Sequence, residues 1–65
     1  MNLKEKARLK VKELDERMAE LNHLYDNETD SEKKEEIANE ILSVMAQTNK
    51  FLKMAGASEQ EMYVD

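Results

Sequence analysis

Glu20 and His23 have a spacing that could bind a metal ion. They form an E-x-x-H pair, as in carboxylate-bridged di-metal helical bundles, where such ligands project into the bundle centre. Here the apolar neighbours Met18, Leu21 and Tyr25 mark the side of the helix that would be buried. We therefore expect Glu20 and His23 on the outer face, and we predict no metal site at this pair.

Asp26, Glu28 and Asp30 have the spacing of the first ligands of a calcium-binding loop. An EF-hand loop also needs Gly at its sixth position and Glu at its twelfth. Ser31 and Ile37 stand at those positions. Cys is absent and His23 is the single histidine, so thiolate sites and multi-histidine cages are excluded as well. The sequence predicts no metal and no other cofactor.

Nucleophilic catalysis would need a serine close to a general base, and His23 is the one histidine available. On a helix it faces away from Ser43, and the chain has no glycine-rich phosphate loop. A hairpin of this size also has no cleft wide enough for a substrate. We predict no catalytic residues and a protein that is not an enzyme.

The elements that position these side chains are predicted to be helices, because the 65 residues include no Pro and one Gly. Asn2 and Glu5 form a capping box that begins a first helix over about residues 2–26. Its apolar residues recur at alternating steps of four and three, which is the spacing of a coiled-coil seam. This seam consists of Ala7, Val11, Leu14, Met18, Leu21 and Tyr25.

A polar turn over residues 27–30 follows the first helix. Thr29 and Glu32 form a second capping box, which predicts a second helix over about residues 31–55. Gly56 is the residue expected just past the end of that helix.

The tail over residues 56–65 contains Ser58 and Glu61, a third capping box that would begin at most two helical turns. Its apolar residues Met62, Tyr63 and Val64 are expected to fold back over the open end of the bundle. A mobile docking segment is the alternative, because Met and Tyr suit adaptable contacts.

The apolar face of the second helix is about twice as wide as that of the first, because two overlapping seams cross at Thr48. Thr48 is expected to set the register as a lone polar core residue. We predict an all-α fold: one domain over residues 1–65, an antiparallel two-helix hairpin with a short C-terminal helical turn, dimerising into a four-helix bundle. The residues predicted for self-association are Leu14, Met18, Leu21, Tyr25, Ile37, Ile41, Val44, Met45, Phe51 and Leu52.

Charge is distributed unevenly along the chain, whose formal net charge is −5. Residues 1–12 carry a net +4, whereas residues 13–47 hold three basic and eleven acidic side chains. The first helix thus has its charges reversed relative to the helix dipole, and the hairpin would bring its basic start beside the basic end of the second helix. Head-to-tail pairing of two hairpins would explain this layout, as would contact surfaces for other partners. A merely solvated charged surface is the third interpretation.

The predicted function is that of a non-enzymatic acidic interaction protein that binds a protein partner with a basic surface and regulates, inhibits or scaffolds it. The residues predicted to contact this partner are Glu16, Glu20, Glu28, Glu32, Glu35 and Glu36. One alternative is an acidic inhibitor that mimics nucleic acid towards a basic nucleic-acid-binding protein. Another is weak nucleic-acid binding through the basic end of the first helix, with Lys4, Arg8 and Lys12 on one face.

The chain has no apolar run long enough to span a membrane and no apolar signal region at its start, so we expect a soluble cytoplasmic protein. In length, hairpin and turn it is similar in outline to the small helical-hairpin RNA-binding proteins of plasmids and to the short hairpin phosphatases of sporulation response regulators. The chain lacks the Ser-Gln-Glu-Leu-Asp signature of the phosphatases and the basic, aromatic helix face of the RNA binders. No functional residue is carried over from either group.

Overall fold

The computed structural model describes residues 2–63, which form two long helices packed against each other as an antiparallel hairpin. Helix α1 spans Leu3–Asn27 and helix α2 spans Ser31–Met54, with the turn Glu28–Asp30 between them. A single turn of 3₁₀ helix follows at Glu59–Glu61. The predicted all-α hairpin is therefore confirmed, and the predicted helix ends lie within one residue of the observed ones.

Helix α1 begins with the capping box expected from its sequence. The Asn2 side-chain oxygen accepts a hydrogen bond from the Glu5 backbone N–H at 2.9 Å, and the Glu5 carboxylate accepts one from the Asn2 N–H at 3.4 Å. Two of the N–H groups that a helix start leaves unpaired are thereby satisfied.

Helix α2 begins differently from the prediction, because Asp30 and not Thr29 is its cap. The Asp30 carboxylate accepts hydrogen bonds from the backbone N–H groups of Glu32 at 2.9 Å and Lys33 at 3.4 Å. Asp30 directly precedes the first helical residue, which brings its short side chain within reach of both donors. The predicted Thr29–Glu32 capping box is wrong.

Gly56 follows the end of helix α2, as predicted. Gly56 has φ +81°, the left-handed conformation that L-residues adopt at a cost. The Gly56 N–H donates to the Lys53 carbonyl at 3.1 Å and the Ala57 N–H to the Leu52 carbonyl at 3.0 Å, which is the Schellman arrangement. The Ser58 side chain makes no capping hydrogen bond, so the third predicted capping box is wrong and one 3₁₀ turn forms in its place.

The core lies along the line where the two helices meet. Ala7 and Ala55 are buried, and the central buried cluster consists of Leu14, Met18 and Leu21 from α1 with Val44 from α2. Leu21 is 1% exposed, and burying a side chain of this size contributes about 1.5–3 kcal/mol. Partly buried apolar residues pack around these four, and they are Ile37, Ile41, Met45 and Phe51. Most apolar residues of α2 are thus only half covered by α1, which agrees with its wider apolar face.

Thr48 is buried, as predicted, at 1% exposure. Its hydroxyl donates to the Val44 carbonyl of its own helix at 2.8 Å. The side chain is therefore satisfied within α2 and makes no hydrogen bond to α1. The contacts that join the helices at this level are therefore those of the apolar core, which includes Val44.

The molecule measures 43 × 22 × 14 Å, so the two helices lie side by side and present two broad faces. Across residues 2–63, no helix combines the length and the apolar character that crossing a bilayer requires.

Candidate functional site

One broad face is crossed by an ion pair between the helices, and we call it the ion-pair face. The Arg17 guanidinium contacts the Glu40 carboxylate at 2.8 Å and the Glu20 carboxylate at 3.2 Å. These contacts, the hydrogen bond with Glu40 above all, raise the pKa of Arg17 above its ordinary value. A further pair joins Lys10 to Glu13 at 3.5 Å along α1. Arg17, Glu20 and Glu40 on this side thus neutralise one another's charge within one chain.

The opposite broad face is crossed by residues 57–63, which we call the strap. The Asn49 side-chain amide donates to the Tyr63 carbonyl at 2.7 Å and accepts from the Tyr63 N–H at 2.8 Å. The Tyr63 hydroxyl then reaches α1, where it donates to the Asp15 carboxylate at 3.3 Å. Burial raises the pKa of the Tyr63 phenol, and the Asp15 charge adds to that increase.

We call this second face the strap face. Asp15 is two residues from Arg17, and Asn49 is nine residues from Glu40, so in each helix the two side chains point to opposite sides. The tail therefore folds back, as expected, but along a broad face to the middle of α1 and not merely over the open end. Val64, which was assigned to the same segment, lies outside the described residues.

The turn is organised by Glu28, whose half-buried carboxylate accepts hydrogen bonds from the backbone N–H groups of Thr29 and Asp30, both at 3.1 Å. Before the turn, the Asn27 amide donates to the His23 carbonyl at 2.9 Å. His23 and Glu20 are exposed, as predicted. Within residues 2–63 no group of three or more His, Cys, Asp or Glu side chains is arranged to hold a metal ion.

A shallow groove of about 310 Å³ lies beside the turn. The Lys34 ammonium lies 4.5 Å from the centre of the Tyr25 ring, which is a cation–π contact between the two helices. The groove is lined by Tyr25, Ser31, Lys34, Glu35 and Ala38. It is open to solvent, and the spacing of Ala38 and Asn49 places it on the strap face.

The structure does not bring the six predicted partner-binding carboxylates together in one patch. Glu20 contacts Arg17, and the Glu28 carboxylate accepts a hydrogen bond from the backbone of the turn. Glu16 is exposed on the edge of α1 that faces away from α2, because it lies opposite Leu14 and Met18 on the helix. The remaining three are exposed on α2 and are Glu32, Glu35 and Glu36.

The ten predicted self-association residues divide into two groups. The four core members are buried within one chain, so they have little surface left for a second copy. The other six are half-buried and retain exposed apolar surface: Tyr25, Ile37, Ile41, Met45, Phe51 and Leu52. Their role in self-association stays a prediction.

The sequence pattern does not predict Asn49 as the anchor of the strap or Arg17 as the link to Glu40. Both are contacts between distant parts of the chain, and no local pattern signals them. The one available hint was that Asn49 follows the apolar residues Ala38, Leu42 and Met45 on the same side of α2. Comparisons with family models, with curated proteins and with solved structures find no match to this chain.

Proposed function

We propose that this protein is a small acidic interaction protein that self-associates as a four-helix homodimer and binds a protein partner with a basic surface. In this proposal binding regulates, blocks or scaffolds the partner, in the cytoplasm, and no catalysis is involved. The observation that supports partner binding most directly is a pair of exposed carboxylates on α2, Glu32 and Glu36.

Glu32 and Glu36 lie one turn apart, where like charges repel each other. The helix dipole favours a carboxylate in the first turn, which accounts for Glu32, but its effect has faded by Glu36. Neither carboxylate has an ion-pair partner within residues 2–63, whereas Glu20 and Glu40 share Arg17. A basic surface would supply the missing positive charge and relieve the repulsion.

A direct test measures binding of fluorescently labelled poly-L-lysine, as a model basic surface, at low and at high salt. The variant Glu32→Gln/Glu36→Gln should weaken binding at low salt by about tenfold, since each contact contributes up to ~1 kcal/mol. High salt should remove most of the difference because it screens exposed charges.

The matched control is Glu59→Gln/Glu61→Gln, which removes the same charge at the other end of the molecule. It should change the affinity by less than about twofold if the α2 carboxylates form a localised site. Equal weakening in both variants would show that net charge alone governs binding, and the proposed surface would then be wrong. Glu35 is left unchanged because it lies on the strap face.

A further inference from the structure

The charges of the strap face are arranged in two rows, one along each helix. Asp15 marks the α1 row, since the strap contacts it. Steps of four or seven residues stay on one side of a helix, so the residues sharing this row can be read from the sequence. Outside the apolar seam they are Lys4, Arg8, Lys12, Asp15, Ala19, Asn22 and Asp26. The row is basic at the open end of the hairpin and acidic at the turn.

Asn49 marks the α2 row in the same way. Steps of three and four place the following residues along it: Ser31, Glu35, Ala38, Leu42, Met45, Asn49 and Lys53. Glu35 lies near the turn and Lys53 near the open end, with apolar residues between them. Both rows therefore run from acidic to basic in the same direction.

Within residues 2–63, the charged residues at the ends of these rows have no ion-pair partner. The three ion pairs within residues 2–63 are Lys10–Glu13, Arg17–Glu20 and Arg17–Glu40. None of them includes a member of either row. Lys4 instead extends towards Gly56, with its ammonium 3.9 Å from where a Cβ would lie, close to the negative end of the α2 dipole.

Apolar surface is exposed along the middle of the same face. Leu42 is 52% exposed and Tyr63 38% exposed. Ala38, Met45 and Met62 are half-buried. The strap covers the half of the face nearer the open end, while the half nearer the turn, which includes the groove beside Tyr25, is uncovered.

We infer that two copies of this chain pair through their strap faces in antiparallel orientation, so that Lys4 and Arg8 of each copy lie against Asp26 of the other, and Lys53 of each copy lies against Glu35 of the other. This inference rests on the self-association proposed above and specifies its surface and direction. A twofold axis makes the contact self-complementary. Parallel pairing would place like charges together at both ends.

Antiparallel pairing also brings the exposed apolar residues of the two copies into contact. The strap of one copy lies opposite the uncovered half of the other, so Met62 and Tyr63 face the groove that contains Ala38. A face of a molecule 43 Å long and 22 Å wide is large enough for the ~800 Å² per partner of a stable interface.

The test uses two variants of the full chain with reversed charge, studied by sedimentation equilibrium alone and as an equimolar mixture. Lys4→Glu/Arg8→Glu makes the open end of the α1 row acidic, and Asn22→Lys/Asp26→Lys makes its turn end basic. Each variant alone should dimerise at least about tenfold more weakly than the wild type, because like charges meet at both ends. The mixture should form a heterodimer about as tightly as the wild type, since opposite charges again meet at both ends.

The matched control is Lys6→Glu/Lys10→Glu, which changes the net charge by as much as Lys4→Glu/Arg8→Glu but, by helical spacing, on the ion-pair side of α1. It should leave dimerisation within about twofold of the wild type, and circular dichroism verifies that every variant stays helical. Loss of the dimer in each reversed variant without recovery in the mixture would overturn antiparallel pairing.

Two further outcomes separate this inference from the proposed function. If the wild type forms a dimer and both charge-reversed variants dimerise equally well, the strap-face interface is wrong but self-association still holds. A wild type that is monomeric at every concentration would overturn self-association and this inference together. Partner binding at Glu32 and Glu36 is measured independently of both.

Discussion

Asn49 binds the backbone of Tyr63 through both ends of its side-chain amide, 14 residues away along the chain. The side-chain carbonyl of Asn49 accepts one hydrogen bond and its NH₂ group donates another, as a neighbouring backbone segment would. These two hydrogen bonds hold the strap on α2. The Tyr63 hydroxyl then connects the strap to α1 at Asp15. One side chain of α2 thereby determines how much of the strap face the tail covers.

Replacing Asn49 with Ala should release the strap. The change removes two hydrogen bonds, each worth about 0.5–1.5 kcal/mol. Hydrogen exchange should show the Tyr63 amide losing protection while the middle of α2 keeps it. Asn39→Ala is the control, because Asn39 is exposed and the gain in helix propensity is the same in both variants. Unchanged protection of Tyr63 in Asn49→Ala would contradict the anchoring role.

Tyr63 should ionise at higher pH than an ordinary tyrosine, whose pKa is about 10. Its folded-state pKa is raised, so the strap contact contributes fully below the unfolded pKa and is lost as pH rises through the folded pKa. The measurement is an ultraviolet absorbance titration in the Tyr25→Phe background, where Tyr63 is the single tyrosine. Asp15→Asn should lower the midpoint, because it removes the negative charge beside the phenol. A midpoint that Asp15→Asn does not move would contradict this contact.

Asp30→Ala should destabilise the protein by about 0.5–2 kcal/mol, since Asp30 caps α2. Thr29→Ala should have little effect, because the Thr29 side chain accepts no capping hydrogen bond within residues 2–63. Urea denaturation followed by circular dichroism measures both values. If Thr29→Ala lowered the free energy of unfolding more than Asp30→Ala, the capping box of Thr29 and Glu32 expected from the sequence would be correct after all.

Gly56→Ala should cost about 1–2 kcal/mol, because Gly56 adopts φ +81°. A Cβ at this position would meet only the end of the Lys4 side chain, at 3.9 Å, so the cost comes from the backbone conformation and not from crowding. Gly56→Asn should cost less, since Asn adopts the left-handed conformation more readily. Thermal unfolding compares the two variants, and equal losses would show that the backbone conformation is not the cause.

The two helices and their buried residues could be predicted because their signals are local and periodic. The seam from Ala7 to Tyr25 keeps one side of α1 apolar over its whole length, and all six members are buried or half-buried. The cap at Asn2 and the end at Gly56 also depend on residues a few positions apart. Such patterns are read within one or two helical turns.

The contacts that define the two broad faces could not be predicted in the same way. Arg17 has Glu13 and Glu20 within reach on its own helix, so nothing local indicates that Glu40 binds it more closely. Asp30 and Thr29 are both good caps, and the choice between them depends on the path of a three-residue turn. The six carboxylates predicted to bind a partner lie close together in the sequence. The two helices nevertheless place Glu16 and Glu32 apart on the surface.

The link from Tyr63 to Asp15 spans 48 residues, whereas the link from Tyr63 to Asn49 spans 14. The entropy lost on closing a loop grows with its length, and contacts between distant residues form late in folding. The strap can therefore close onto α2 before the hairpin exists, but its tyrosine meets α1 only after the helices have packed. The Tyr63 hydroxyl contact therefore depends on the packed hairpin, whereas the Asn49 contact depends on α2 and the strap alone.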